Sequence, residues 1–141
     1  MRCPGFGLVV EAPLLGFGWM TDPQRRAAFQ PENKVEAIYV EGEIIGVGGV
    51  LPVRSDQTGE AFVLFKAGAP ARYPGAILAM RRHFLEVCNA WHRVQAVVNL
   101  YASESLRFSK WIGMRPEGII YESGPEKETF VMFATVKGLD R

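Results

Sequence analysis

The sequence predicts an α/β fold, a mixed central sheet with helices on both faces. Three observations predict it. The stretch from Ala76 to Met114 reads helix, strand, helix by the spacing of its apolar residues. Hairpin patterns lie on either side of it, Val35 to Val50 and Glu117 to Val136. A nearly all-apolar strand, Glu60 to Lys66, leads into it, as expected of a central strand covered on both faces.

Taken in order, Gly7 to Glu11 is a short strand candidate flanked by glycine and proline. Ala12 to Met20 is apolar but without period, because Gly16 and Gly18 interrupt it; it is expected to be a buried or partner-covered loop. Leu14, Leu15, Phe17 and Trp19 form its apolar cluster, which either covers the sheet or meets another chain. Thr21-Asp22-Pro23 is a helix start, with Asp22 as cap and Pro23 in the first turn, and Pro31 ends that helix. Val35 to Val40 and Ile44 to Val50 form the first hairpin, turned by Glu41 and Gly42. Gly46, Gly48 and Gly49 in its second strand mark a bulge or a close approach of backbones. Pro52 ends the pairing, and Arg54 to Gly59 is a polar turn.

After the central strand, Ala69 to Gly75 reads as a loop that opens a helix. Ile77, Met80, Phe84, Val87 and Trp91 place an apolar stripe along that helix. Arg93 to Leu100 is short and β-branched, hence a strand. Ser103 is the expected N-cap of the next helix, and Gly113 its left-handed stop. The second hairpin pairs Glu117–Glu122 with Glu128–Val136 around Gly124-Pro125. One domain is expected, comprising an irregular part (1–34), a core (35–136) and a tail (137–141).

Sixteen Lys and Arg against 15 Asp and Glu leave a net charge of +1, which gives no global reason to expect nucleic acid. Forty-eight per cent hydrophobic residues over 141 positions suffice for a core. The two cysteines, Cys3 and Cys88, make no disulfide framework, and no metal-ligand spacing appears, so no metal is expected. Glycine and proline break the apolar residues before Trp19, so neither a signal peptide nor a membrane span is expected, and a cytoplasmic setting is the default.

The element order resembles the GCN5-related N-acetyltransferase (GNAT) fold. Three passages carry the likeness: Tyr39 to Gly46 with its acidic-Gly-Glu turn, Glu60 to Gly75 followed by a helix, and Ser105 to Met114 ending Ile-Gly-Met where that family has Leu-Gly-Phe. A narrower likeness, carried by Leu106-Arg107-Phe108, Lys110, Ile112-Gly113 and Phe133 to Gly138, is to the acetyltransferase-like internal virion protein A family of short-tailed bacteriophages. The first resemblance implies transfer of an acyl group from acetyl-CoA to an amine on a small molecule or protein. The second implies a non-catalytic protein of virion assembly, with phage structural proteins or further copies of the chain as partners, in the host cytoplasm or the virion.

By the GNAT resemblance, Arg72, Tyr73, Gly75 and Ala76 stand where the pyrophosphate is held, although Pro74 removes one N–H and Ile77 replaces a tiny residue. Phe65, Lys66 and Ala67 stand where the pantetheine arm lies, provided the strand parts from its neighbour. Glu60 is the best-placed carboxylate for a general base. Ser109 falls where the family often has a tyrosine acid, and Tyr101 is the residue that could replace it. The bland alternatives are a plain helix start, an ordinary strand end, a solvated Glu60 and a packed Tyr101.

Overall fold

The computed structural model describes residues 14–15, 35–53, 55–66 and 68–141. The strand expected at Gly7–Glu11, the helix after Asp22, and Cys3, Phe17, Trp19 and Ala67 lie outside them. In chain order the elements are β1 (Leu14–Leu15), β2 (Val35–Val40), β3 (Glu43–Val53), β4 (Ser55–Phe65), α1 (Ala69–Arg72), α2 (Pro74–Cys88), β5 (Arg93–Asn99), α3 (Ser103–Trp111), β6 (Arg115–Ile120) and β7 (Phe130–Val136). The sheet order is β2-β3-β4-β5-β7-β6, with β1 laid against β4. Every pairing is antiparallel except β4 with β5, which the two helices α1 and α2 connect.

The first hairpin turns at Glu41 and Gly42, both left-handed (φ 52° and 80°). The glycines of β3 have a physical reason. The register with β2 shifts beside Gly46, and a Cβ on Gly46 would lie 2.7 Å from Phe65 Cδ1. Gly48 would bring one to 2.8 Å from the Phe62 carbonyl. The strand therefore bulges and lets β4 approach closely.

Residues Ser55 to Gly59, expected as a polar turn, are the first part of β4. Pro52 pairs with Gly59, and the register shifts immediately afterwards, so proline sits beside an irregularity rather than ending the ladder. Thr58 and Gly59 are then drawn into the parallel ladder with Arg93 and Val94.

Pro74 opens α2, where its missing N–H is no loss. Ile77, Met80, Phe84 and Cys88 are its buried residues. They join Ala61, Val63 and Phe65 of β4, Val94, Ala96 and Val98 of β5, and Val131 and Phe133 of β7 in one core cluster. Trp91, expected on the helix stripe, lies beyond the helix end and packs over Gly59. His83 of α2 sits against the Glu36 carboxylate of β2. In α3 the cap position is Ala102, without a side-chain cap, and Ser103 is already helical; Gly113 takes the left-handed stop at φ 109°. Leu106 and Phe108 turn from α3 onto the same cluster as α2. The alternate residues of the strands, among them Phe62, Leu64, Val97 and Phe130, are buried on the opposite face of the sheet.

The terminal residues, expected as a tail, are fastened. Asp140 accepts from Arg115 Nε (2.9 Å) and from the Val136 N–H (2.9 Å), and Arg141 reaches the end of α2. No helix of the described residues is long and apolar enough to cross a membrane.

Candidate functional site

The parallel ladder between β4 and β5 has three pairs and ends at Glu60 with Gln95. Beyond it β4 continues to Phe65 and β5 to Asn99, each bound to a different neighbour. β4 follows β3 as far as Phe65 opposite Gly46, and β5 follows β7 as far as Asn99 opposite Phe130. Because each strand keeps its outer partner, the two halves of the sheet part at the carboxyl ends of the only parallel pair among the described residues. Such a parting exposes main-chain donors and acceptors on the inner edge of β4, and in α/β proteins this is the end at which ligands bind.

That edge is not bare. Leu14 and Leu15 pair antiparallel with Leu64 and Val63. Since Leu64 and Val63 already pair with Val47 and Gly48 of β3, β1 must lie on the other edge, within the parting. The stretch read as irregular therefore contains a strand there. Its formation is directed by the free edge of β4, not by any alternation of its own. Deeper, a cavity of about 30 Å³ is lined by Ala61, Val63, Ala96, Val98, Phe84 and Phe108, with Ser109, Ile112 and Met114 completing it. Its walls are mostly apolar.

At the end of β4 the chain enters the helix mouth. Lys66 donates its backbone N–H to the Ile45 carbonyl (2.8 Å), and its ammonium meets Glu43 at 2.9 Å. The hydrogen bond from Lys66, with its charge, holds the Glu43 carboxyl below its usual range; the charge of Arg72 adds a smaller push. Gly68 is left-handed (φ 75°) and starts α1. The segment expected as a loop is thus a helical turn followed by a break at Tyr73 (φ −126°, ψ 62°). Its cause is local: Pro70 is acceptable in a first turn, and the residue before Pro74 is kept out of the helical region.

The donors of this mouth can be followed one by one. The Ala69 N–H bonds the Lys66 carbonyl, Arg72 the Gly68 carbonyl, Tyr73 the Ala69 carbonyl, and Ile77 the Tyr73 carbonyl. Pro74 has none. The N–H groups of Gly75 and Ala76 find no backbone acceptor among the described residues, as first-turn donors of a helix do not. Ile77 does not cover them, since its side chain is buried in the core. A Cβ on Gly75 would meet nothing within 4 Å. Arg72 is exposed, with its guanidinium 5.4 Å from the Tyr73 ring centroid.

The remaining candidates are dispersed. Glu60 is buried at the last pair of the ladder, on the sheet face of Phe62 and Leu64 rather than that of the helices. Phe65 is buried with its ring edge-on to Phe108 at 5.7 Å, which leaves only its backbone for a ligand. Ser109 is buried, and its Oγ donates to the Ser105 carbonyl at 2.8 Å, so its proton is already engaged by the helix. Tyr101 stands 86% exposed in the turn after β5, its N–H bonded to Asn99 Oδ1 at 2.9 Å. Arg72, Tyr73, Gly75 and Ala76 are together at the helix mouth, and Lys66 joins them through Glu43. The residues that sequence reasoning missed are Leu14 and Leu15 as strand formers. Two residues carry no period by which they could have been found.

No protein-family model matches the chain, and no curated protein sequence does. The likeness to phage internal virion proteins therefore has no support from known sequences. Solved structures do match. A GNAT-family acetyltransferase from Bacillus anthracis superposes with a TM-score of 0.58 at 21% identity, over 68% of this chain and 60% of that one. A ribosomal-protein-alanine N-acetyltransferase from Brucella melitensis gives 0.65 at 14%, over 79% and 74%. A spermidine N-acetyltransferase variant from Vibrio cholerae gives 0.64 at 9%, over 79% and 70%. The chain spans about three fifths of the length of the first and about seven tenths of the other two. At these identities the likeness is one of fold: the chain has the GNAT-like α/β architecture.

The residues present fit one part of an acyl-CoA. Two N–H groups with no backbone acceptor among the described residues, close in sequence to an exposed guanidinium at the start of a helix, suit a diphosphate. The inner edge of β4 has the form an amide-bearing arm needs, but Leu14 and Leu15 are paired to part of it.

Proposed function

We propose that the chain is an acyl-CoA-dependent N-acyltransferase that moves an acetyl group from acetyl-CoA to an amine. The observation that carries this reading is the pair of N–H groups, Gly75 and Ala76, that find no backbone acceptor among the described residues at the end of the parted strands. Arg72, Gly75 and Ala76 take the diphosphate, with the dipole of α2 adding to the charge of Arg72. Tyr73 steadies the guanidinium from below. The main chain of Phe65 and Ala67 receives the pantetheine arm, since Lys66 gives its N–H to the Ile45 carbonyl and its carbonyl accepts from the Ala69 N–H. When bound, acetyl-CoA supplies an acyl carbon activated as a thioester. Glu60 accepts the proton the attacking amine gives up, directly or through a water. Ser109 does not serve as acid, because a hydroxyl bonded to a helix carbonyl lies far from a thiol in acidity; Tyr101 is the residue left for that role. The acceptor class is an amine on a small molecule or a protein. Spermidine and a ribosomal-protein alanine are the acceptors named for two structurally similar proteins.

A thermal-shift titration with acetyl-CoA tests the reading. Ligand at 100 times its dissociation constant adds about 2.7 kcal/mol of stability, and Arg72→Glu removes that gain. The absence of any shift at millimolar acetyl-CoA overturns it. A second reading, a protein that keeps the fold without the chemistry, is favoured by the Ser109 hydrogen bond and by the strand seated in the parting. It predicts the same absence.

A further inference from the structure

We infer that Leu14 and Leu15 act as a built-in competitor, a strand that holds the inner edge of β4 and must leave before an acyl-CoA arm can lie there. The inference rests on the acyl-CoA reading above. Three observations lead to it. β4 has two edges, and β3 uses one of them from Gly46 to Val53. The other is used by β5 only as far as Glu60, so the β5 ladder does not reach Val63 and Leu64. Leu14 and Leu15 take Leu64 and Val63 on that side, the last residues but one before the helix mouth.

The chemistry of the two occupants is alike. A pantetheine arm is an extended chain with two amides, and a dipeptide stretch offers the same kind of donors and acceptors to a strand edge. An arm that enters from the helix mouth and runs inward along this edge passes Phe65 and then meets the Val63–Leu64 stretch where β1 is paired. By contrast the Gly75 and Ala76 donors lie beyond the paired residues and stay open. The diphosphate end can therefore dock first, and the arm then displaces β1. A two-residue strand is short enough for this exchange, because few hydrogen bonds hold it. The free protein is thus partly self-blocked, and its apparent affinity is reduced by the fraction of molecules in which β1 is seated.

Calorimetric titration of the full chain with acetyl-CoA tests this. Leu14→Pro with Leu15→Pro removes both N–H groups of β1 and leaves the helix mouth intact. This variant should bind about tenfold more tightly than the parent. A second variant, Leu14→Cys with Leu64→Cys on a Cys3→Ser background, joins paired positions. Oxidised, it should not bind; reduced with a phosphine, it should bind as the parent does. Equal affinity of the parent and the double-proline chain, or binding by the oxidised pair, overturns the competitor and leaves the acyl-CoA reading standing. No binding by any form removes that reading, and the competitor with it. Should the proline chain fail to fold, the reversible cross-link alone decides.

Discussion

The guanidinium of Arg141 hydrogen-bonds the backbone carbonyl of Cys88, joining the end of the chain to the end of α2. The same side chain donates to the carbonyls of Trp91 (3.0 Å) and His92 (3.2 Å), and its Nε to Thr135 Oγ1 (3.1 Å). The Cys88 carbonyl also accepts from the Trp91 N–H and the His92 carbonyl from the Lys137 N–H, so the forked cation adds a second, charged donor at the negative end of the helix. Arg141→Ala should lower stability by about 1–3 kcal/mol, the range for hydrogen bonds to a charged group. Urea denaturation measures it. Arg141→Lys should recover only part of the loss, because an ammonium cannot span several carbonyls as a fork does.

At Gly75 folding and binding should separate. The residue is helical in α2, has no left-handed φ, and has open space where a Cβ would go. Gly75→Ala should therefore leave stability unchanged or raise it by up to about 1 kcal/mol. The same methyl group stands beside the free N–H donors, so affinity for acetyl-CoA should fall. A thermal melt without ligand and a titration with it check the two halves. A variant that loses stability but keeps affinity would mean that the diphosphate does not lie against this glycine.

The strand glycines give a sharper prediction for the fold. A Cβ on Gly46 would press on Phe65 Cδ1 at 2.7 Å and on the Leu64 carbonyl at 2.8 Å. Phe65 is buried and held edge-on by Phe108, so it has little room to move. Gly46→Ala should cost about 1–3 kcal/mol as an overpacking change. Equilibrium unfolding reads it directly.

Much of this architecture was legible because it is locally encoded. The 41–42 turn needs left-handed residues and has a glycine; α2 shows its stripe from Ile77 to Phe84; Gly113 stops α3. What escaped is set by distant contacts. Leu14 and Leu15 become a strand because β4 offers an edge, and that edge is open because β5 follows β7. Arg141 looks like a tail residue until the end of α2 is brought beside it. At the candidate site the residue types at 72–76 could be read, but not that Ile77 would turn inward and leave Gly75 and Ala76 uncovered. The break at Tyr73, by contrast, is locally encoded by Pro74.

Acid should loosen the outer strands first. Arg93 clasps Glu117 of β6 with both terminal guanidinium nitrogens, one of them at 3.0 Å, and this hydrogen bonding holds the Glu117 carboxyl below its usual 4.5. Asp140 is held below its usual 3.8, first by its hydrogen bond with Arg115 and then by that from the Val136 N–H. Both values are depressed in the folded chain. Their contribution is therefore full above the unfolded values and is lost as pH falls through the folded ones. Melting temperature should drop below about pH 4, and Glu117→Gln should flatten that limb while lowering stability at neutral pH by about 1 kcal/mol or less. An unchanged acid limb in Glu117→Gln would place the sensitivity elsewhere.

Alkali acts through Cys88. Burial pushes its thiol up from the ordinary 9.0 to about 11, against a smaller opposing pull from Arg141. In the folded chain the thiol stays neutral at a pH where the unfolded chain ionises it. The stabilisation is complete below 9.0 and declines as pH rises towards 11. Cys88→Ala should remove this alkaline decline, at the cost of a small cavity in the core worth about 1–2 kcal/mol. The thiolate is the reactive form, and the side chain is fully buried, so on a Cys3→Ser background Cys88 should resist a thiol reagent at pH 8 in the native protein. It should react at the rate at which the chain opens. Rapid modification without denaturant would show that the end of α2, and with it the Arg141 clasp, opens locally.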